Sequence, residues 1–245
     1  MKTVCSILLI ILISTANYAQ QTITGKISNY QSGIAEVLMP SQNPQIIGSV
    51  NENGYFNILL NDSIINKMLE DQRKAKEEGQ RVRVRNNTVR EAFYCDSVYV
   101  KTINGEQVLE SPTVSGMFLI GILKDKKPIG KLRLSSSESF SESYFSYGKK
   151  DYIPGYYVDF YYVSEDASVN GICKTKTYTL DMQSTFDISH EYNINLKKGW
   201  NIVKIEVVEV YEDQEGHSRP LTYKMQTINK LPKDVKFIFT PGDKL

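Results

Sequence analysis

The last hundred residues constrain this chain most. GYYVDFYYV, SVNGICKT, TYTLDM, EYNINL, WNIVKIEVVEVYE, LTYKMQTI and VKFIFT follow one another there, separated by turn residues. Short β-branched and aromatic runs at such intervals predict an antiparallel sandwich or barrel. Lys197 to Asn201 forms the turn into the longest run. Within that run Val203, Ile205 and Val207 share a face, whereas Val208 and Val210 continue the apolar row on the opposite parity. The change of phase predicts a β-bulge near Val207 and Val208.

The first part of the chain is also strand-rich. TITGKIS, AEVLM, QIIGSV and YFNILL are broken by Gly33, Pro40, Pro44 and the pair Asn53-Gly54, which is a hairpin signal because both residues tolerate positive φ. One helix is expected between Asn61 and Gly79. Asp62 or Ser63 can cap it, Ile64, Ile65, Met68 and Leu69 form its apolar face, and Gly79 supplies a left-handed stop. The charged DQRKAKEEG that follows Leu69 reads as a solvated helix end. Further on, SVYVKTI and EQVLE flank Asn104-Gly105 as a second hairpin, and GMFLIGILKD reads as a strand buried on both faces with KLRLSS as its partner. The Ser-rich SSSESFSESYFSYGKKDYIPG is expected to be a long loop.

The predicted fold class is therefore all-β and mainly antiparallel. An Ig-like or transthyretin-like N-terminal segment with one amphipathic helix precedes a larger β-sandwich or barrel. The division expected is residues 20–110, with the helix near 62–78, and residues 111–245; whether the two share one core is open.

Met1-Lys2, the apolar run VCSILLIILI and small residues up to Ala19 have the form of a secretory signal peptide over residues 1–19. The run falls short of the ~20 apolar residues a spanning helix needs, so no integral membrane span is expected in the mature chain. A cut between Ala16 and Gln20 would export the protein to the periplasm or cell exterior. Lys2 is the only charged residue of that segment, so the mature chain has 28 Lys and Arg against 28 Asp and Glu. Such neutrality gives no drive toward nucleic acid. Its two cysteines, Cys95 and Cys173, can pair in an oxidising compartment or be buried separately as thiols.

Two resemblances follow from quoted residues. Gly25, Ala35-Glu36-Val37 and the passage Gly48 to Phe56 resemble the carboxypeptidase-regulatory-like or transthyretin-like β modules of exported proteins, over about forty residues. YYVDFYYVSEDASVNG paired with INLKKGWNIV is similar to the C-terminal half of exported bacterial β proteins of unknown function. The resemblances imply architecture and transfer no catalytic residue.

Motifs for catalysis are sparse. There is no Gly-x-Ser-x-Gly elbow, His-Glu-x-x-His pair, phosphate loop or dinucleotide glycine pattern. Ser146-Tyr147-Gly148-Lys149 fits Ser-x-x-Lys within the Ser-rich stretch, and His190 and His217 lie in polar turn contexts. The acidic stretches Ser164-Glu165-Asp166 and Glu212 to Gly216 lack EF-hand spacing, so neither a metal nor another cofactor is expected.

Two surfaces suit ligand binding. In GYYVDFYYV the residues Tyr156, Val158, Phe160 and Tyr162 share one face, which leaves Tyr157, Asp159 and Tyr161 as an outward row if the first set is core. Rings that stack on sugars beside a carboxylate suit a glycan or a peptide. Arg81, Arg83 and Arg85 line one face of QRVRVRN and can hold an anion by bidentate contacts, or protect a strand edge. The function expected is a non-enzymatic binding or structural role, with a glycan, a peptide or a cell-surface protein as partner. Its alternatives are a hydrolase using paired carboxylates, and a calycin-like carrier with an apolar cavity around Phe118, Leu119 and Ile122.

Overall fold

The computed structural model describes residues 21–39, 45–79, 87–95, 98–113, 116–121, 128–178 and 184–242. The expected signal peptide and the Arg81, Arg83, Arg85 row lie outside the described residues. The protein is mainly antiparallel β. Its strands are β1 (Gln21–Lys26), β2 (Ala35–Met39), β3 (Gln45–Val50), β4 (Tyr55–Leu60), β5 (Asn87–Thr88), β6 (Val100–Ile103), β7 (Val108–Leu109), β8 (Met117–Gly121), β9 (Pro128–Ser135), β10 (Gly155–Val163), β11 (Ala167–Tyr178), β12 (Thr185–Leu196), β13 (Gly199–Glu212), β14 (Ser218–Ile228) and β15 (Lys236–Pro241). The helices are α1 (Asp62–Glu77), α2 (Val89–Ala92) and α3 (Glu138–Tyr144). Among the described residues no helix is long and apolar enough to cross a membrane.

One sheet runs β1-β4-β3-β2-β8-β9-β10-β13-β14-β12-β11-β6. It nearly divides at β9. Residues 130 to 135 of β9 pair with β15, while β10 joins through Ser135 and Tyr157 alone. This corner is tied by side chains: Ser135 Oγ donates to the Tyr156 carbonyl at 3.0 Å, and the Tyr156 N–H donates to Ser136 Oγ at 3.0 Å. The two halves fold over one another, and the first hydrophobic core fills the space between them. Ile23, Val37, Ile58, Phe118, Leu132 and Phe239 enter it from one side, and Val158, Phe160, Trp200 and Ile202 from the other.

A second core lies on the far face of β10 and β13, where Val203 and Ile205 meet Val169, Ile194 and Leu196. Val89 and Phe93 of α2 and Leu109 of β7 cover it. Residues before position 110 thus contribute to both cores, and β8 and β9 beyond it contribute to the first. Strands β10 and β13 are buried on both faces, which accounts for their unusually continuous apolar sequence.

Several local expectations are met. The Asn51–Gly54 turn joins β3 to its antiparallel partner β4, with Gly54 at φ 77°. Strands β8 and β9 pair as expected, and the register of β13 against β14 slips between Val207 and Glu209, which places the bulge at Val208. Helix α1 buries Ile64, Ile65 and Met68, while Leu69, expected on the same face, is exposed; Gly79 ends the helix at φ 72°.

Other expectations need correction. Asn61, rather than Asp62 or Ser63, caps α1, because its side chain accepts from the Ile64 N–H. Asn104-Gly105 makes a turn but no hairpin: β6 pairs with β11 and β7 with β5, so the flanking strands part to different sheets. The Ser-rich stretch contains α3, capped by Ser137 and anchored by fully buried Phe140. SVNGICKT and the start of TYTLDM form the single strand β11.

One connection departs from simple meander topology. β12 and β13 are separated by only Lys197 and Lys198, yet β14 lies between them, parallel to β12 and antiparallel to β13. The last residues paired with β14 are Asn193 on the β12 side and Ile202 on the β13 side, so the chain between them turns from one edge of β14 to the other. Buried Asn201 holds it. Its carboxamide oxygen accepts from the Lys197 N–H at 2.8 Å, and its amide donates to the carbonyls of Lys197 at 2.7 Å and Gly199 at 2.9 Å. Asn201→Ala should cost about 2 kcal/mol by removing three hydrogen bonds, of which that to the Gly199 carbonyl is fully buried. Urea unfolding with an unchanged midpoint would show that the clamp is dispensable.

Candidate functional site

The Tyr157, Asp159, Tyr161 row is not an outward platform. Strand β10 is covered on both sides, and Tyr157 and Tyr161 pack against the second core. Asp159 is only 5% exposed. Its Oδ1 accepts from the Thr113 hydroxyl at 2.5 Å and from the Phe160 N–H at 2.8 Å, and its Oδ2 accepts from the Tyr161 hydroxyl at 3.0 Å. Burial nevertheless raises its pKa above the usual carboxylate value, with these donors opposing the shift. Burial likewise raises the phenols of Tyr157 and Tyr161, helped by the adjacent Asp159. The row is an interior hydrogen-bonding network.

That network continues through aromatic contacts. Tyr144 of α3 is coupled electrostatically to Tyr157 and Tyr223, and its ring lies 5.2 Å from that of Tyr157 and 6.1 Å from that of Tyr152. Tyr223 also stacks on His190 at 4.8 Å with the planes 2° apart. Burial lowers the pKa of His190, which keeps its ring neutral at neutral pH. His190 is therefore a packing residue of β12.

Beyond Tyr223 the strand ends open into a groove of about 500 Å3. Tyr178 of β11, Phe186 of β12, Tyr211 of β13 and Tyr152 line it, with Arg219 of β14 and Asp213 at its edge. Phe186 stacks on Tyr211 with centroids 4.6 Å apart and planes 18° apart, and Tyr178 is 62% exposed. Asp213 Oδ1 accepts from the N–H groups of Glu215 and His217, which holds the β13–β14 turn in place. Such a groove offers flat apolar faces beside a cation and a carboxylate. The expected Tyr157, Asp159, Tyr161 row contributes no residue to this groove; Tyr178, Phe186 and Tyr211 come from three separated runs and meet only through strand pairing.

The remaining candidates are placed as follows. Cys95 and Cys173 form a disulfide with Cα atoms 6.1 Å apart. The Ser146 hydroxyl donates to the Ser143 carbonyl at 2.7 Å and accepts from the Lys150 N–H at 2.9 Å, so it serves the end of α3. His217 meets Asp151 at 3.4 Å on an exposed surface. Asp166 accepts from Lys197 Nζ at 2.7 Å and from the Lys198 N–H at 2.9 Å. Among the described residues no group of three His, Cys, Asp or Glu is placed to hold a metal ion. Phe118 is fully buried with its ring 5.5 Å from that of Phe160, so this part of the interior is filled by side chains; Ile122 lies outside the described residues. Compared with known proteins, the chain matches no family model, no curated protein and no solved structure.

Proposed function

We propose that the chain is an exported, non-enzymatic binding protein that takes a carbohydrate in the groove at the ends of β11 to β14. The observation that carries this reading is the convergence of Tyr178, Phe186, Tyr211 and Tyr152 on one open groove beside Arg219 and Asp213. Aromatic faces pack against the C–H faces of sugar rings, while the guanidinium and carboxylate exchange hydrogen bonds with ring hydroxyls. Concave sites of this volume suit one or two sugar units. The buried, fully engaged Asp159 favours a structural part for the most conspicuous acid of β10 over hydrolysis. The Cys95–Cys173 disulfide supports an oxidising destination, in keeping with the leader-like first nineteen residues.

A glycan array followed by calorimetry on the mature chain tests the reading. Wild type should bind at least one oligosaccharide, and Tyr178→Ala and Tyr211→Ala should each weaken that binding at least tenfold, since a stacked ring contributes about 1.5 kcal/mol or more. Binding that survives both substitutions, or an array without a hit, sinks the proposal.

A further inference from the structure

A second groove, also about 500 Å3, opens over β9 between α3 and β15. It shares no lining residue with the aromatic groove. Along β9 the side chains alternate, and Leu132 enters the first core, so Lys131 and Arg133 project together on the opposite face and line this groove. Across from them on β15, Ile238 is the register partner of Arg133 and Thr240 that of Lys131.

Arg133 is unusual for its burial. It is only 8% exposed, although it carries a permanent charge. Its Nη1 donates to Thr240 Oγ1 at 3.3 Å, and the Phe145 ring lies 4.2 Å from the guanidinium carbon. Its Nε is buried with no hydrogen-bond partner. No ion pair joins Arg133 or Lys131 to a carboxylate among the described residues. Burial lowers the pKa of both groups, and the nearby Arg133 charge lowers that of Lys131 further. The two acids that line the groove do not offset them: Glu142 is held by Lys150 at 2.6 Å, and Glu138 is exposed at the start of α3. Lys149 adds a further cation to the lining.

A desolvated guanidinium with an idle N–H and no counter-charge is costly to fold around, and such groups in native proteins call for an explanation. Phe145 and Thr240 hold this one in a fixed plane. The Nε edge of arginine, with its neighbouring Nη, forms a side-on fork that matches two oxygens of one oxyanion. Lys131 supplies a second charge that needs no directional fit.

We propose that this groove is an oxyanion-binding site, in which a side-chain movement uncovers the Arg133 Nε edge, the fork so exposed takes two oxygens of a carboxylate, sulfate or phosphate group on a small ligand, and Lys131 neutralises the remainder. The site does not depend on the sugar reading of the other groove.

The test is calorimetry and thermal melting of the mature chain at low ionic strength with inorganic phosphate, inorganic sulfate and glucuronate as separate probes. At least one probe should bind saturably and raise the melting temperature, and the ranking of the three separates planar carboxylate from tetrahedral oxyanion recognition. Arg133→Met should weaken binding at least tenfold, while its anion-free melting temperature equals or exceeds that of wild type because an unpaired buried charge is gone. Lys131→Gln should weaken binding about threefold with the fold intact. Arg133→Lys, which keeps the charge and loses the fork, should lose at least fivefold, and it decides the matter if Arg133→Met does not fold. The proposal is overturned if no probe binds wild type, or if binding by Arg133→Met, or by Arg133→Lys in its place, is unchanged.

Discussion

Reducing the Cys95–Cys173 bridge should lower the unfolding free energy by about 4.5 kcal/mol, the loop-closure value for a cross-link spanning 78 residues. The bridge fastens the segment carrying α2 to β11, and that segment is the lid of the second core through Val89, Phe93 and Leu109. Its other attachments are short: β6 pairs with β11 over only Val100 to Ile103, Glu110 bridges Tyr162, and side-chain hydrogen bonds join Tyr94 to Tyr192, Asn104 to Asp166, and Gln107 to Ser164 and Glu165. Reduction should therefore open residues 87–109 ahead of the first core. Urea titrations with and without dithiothreitol measure the total, and amide exchange locates the opening. A loss below about 1 kcal/mol would mean that the unfolded chain is not restrained in the way loop closure requires. Uniform loss of exchange protection over both cores would contradict the local order of events.

Asp159→Ala should be nearly as damaging, at about 3 to 5 kcal/mol, because it strands the buried donors of Thr113, Phe160 and Tyr161. Asp159→Asn should stay within about 1 kcal/mol of wild type at neutral pH, since its carbonyl can still accept and the Tyr161 hydroxyl can rotate to receive the amide. The pair of variants also isolates a pH effect. The folded-state pKa of Asp159 is raised, so the folded protein holds a proton that the unfolded chain has released. Its stabilising contribution is complete below the ordinary value of 3.8 and is lost as pH rises through the higher folded-state value. Glu110, raised by burial alone, acts in the same direction. Asp166 and Glu70 act oppositely, since each is lowered by a lysine partner and loses its contribution only as pH falls below its ordinary value. Wild type should thus gain stability from neutral toward mildly acid pH, and Asp159→Asn should flatten that gain. Parallel pH–stability curves for the two proteins would remove Asp159 as its source.

How much of this was legible in the sequence depended on whether the signal was local. The Asn51–Gly54 hairpin, the α1 stop at Gly79 and the slip at Val208 each follow from residues within one turn or one strand, where backbone preference and side-chain alternation act directly. Helix α3 was hidden by its serines, although Ser137 as a cap and the spacing of Phe140 and Tyr144 were a usable signal. The β10 row was misread because alternation separates two faces without saying what covers each. Tyr157 and Tyr161 are amphipathic enough for either environment, and only the folding of α2 and β7 over the second core decides it. Both grooves were beyond reach for the same reason. The aromatic one draws on residues from 152 to 223, and Arg133 acquires its meaning from Thr240 and Phe145, which approach it from other elements.

The insertion of β14 between β12 and β13 bears on how the chain acquires its fold. β12 and β13 are made first, run in opposite directions and are joined by two residues, the usual arrangement for a local hairpin. Pairing them would close the slot that β14 must enter. Lys197 and Lys198 lack the Asn or Gly that tight two-residue turns take, which disfavours that hairpin. The native sheet is complete only when β14, later in sequence, pairs with both strands, so any β12–β13 hairpin formed before it has to open again.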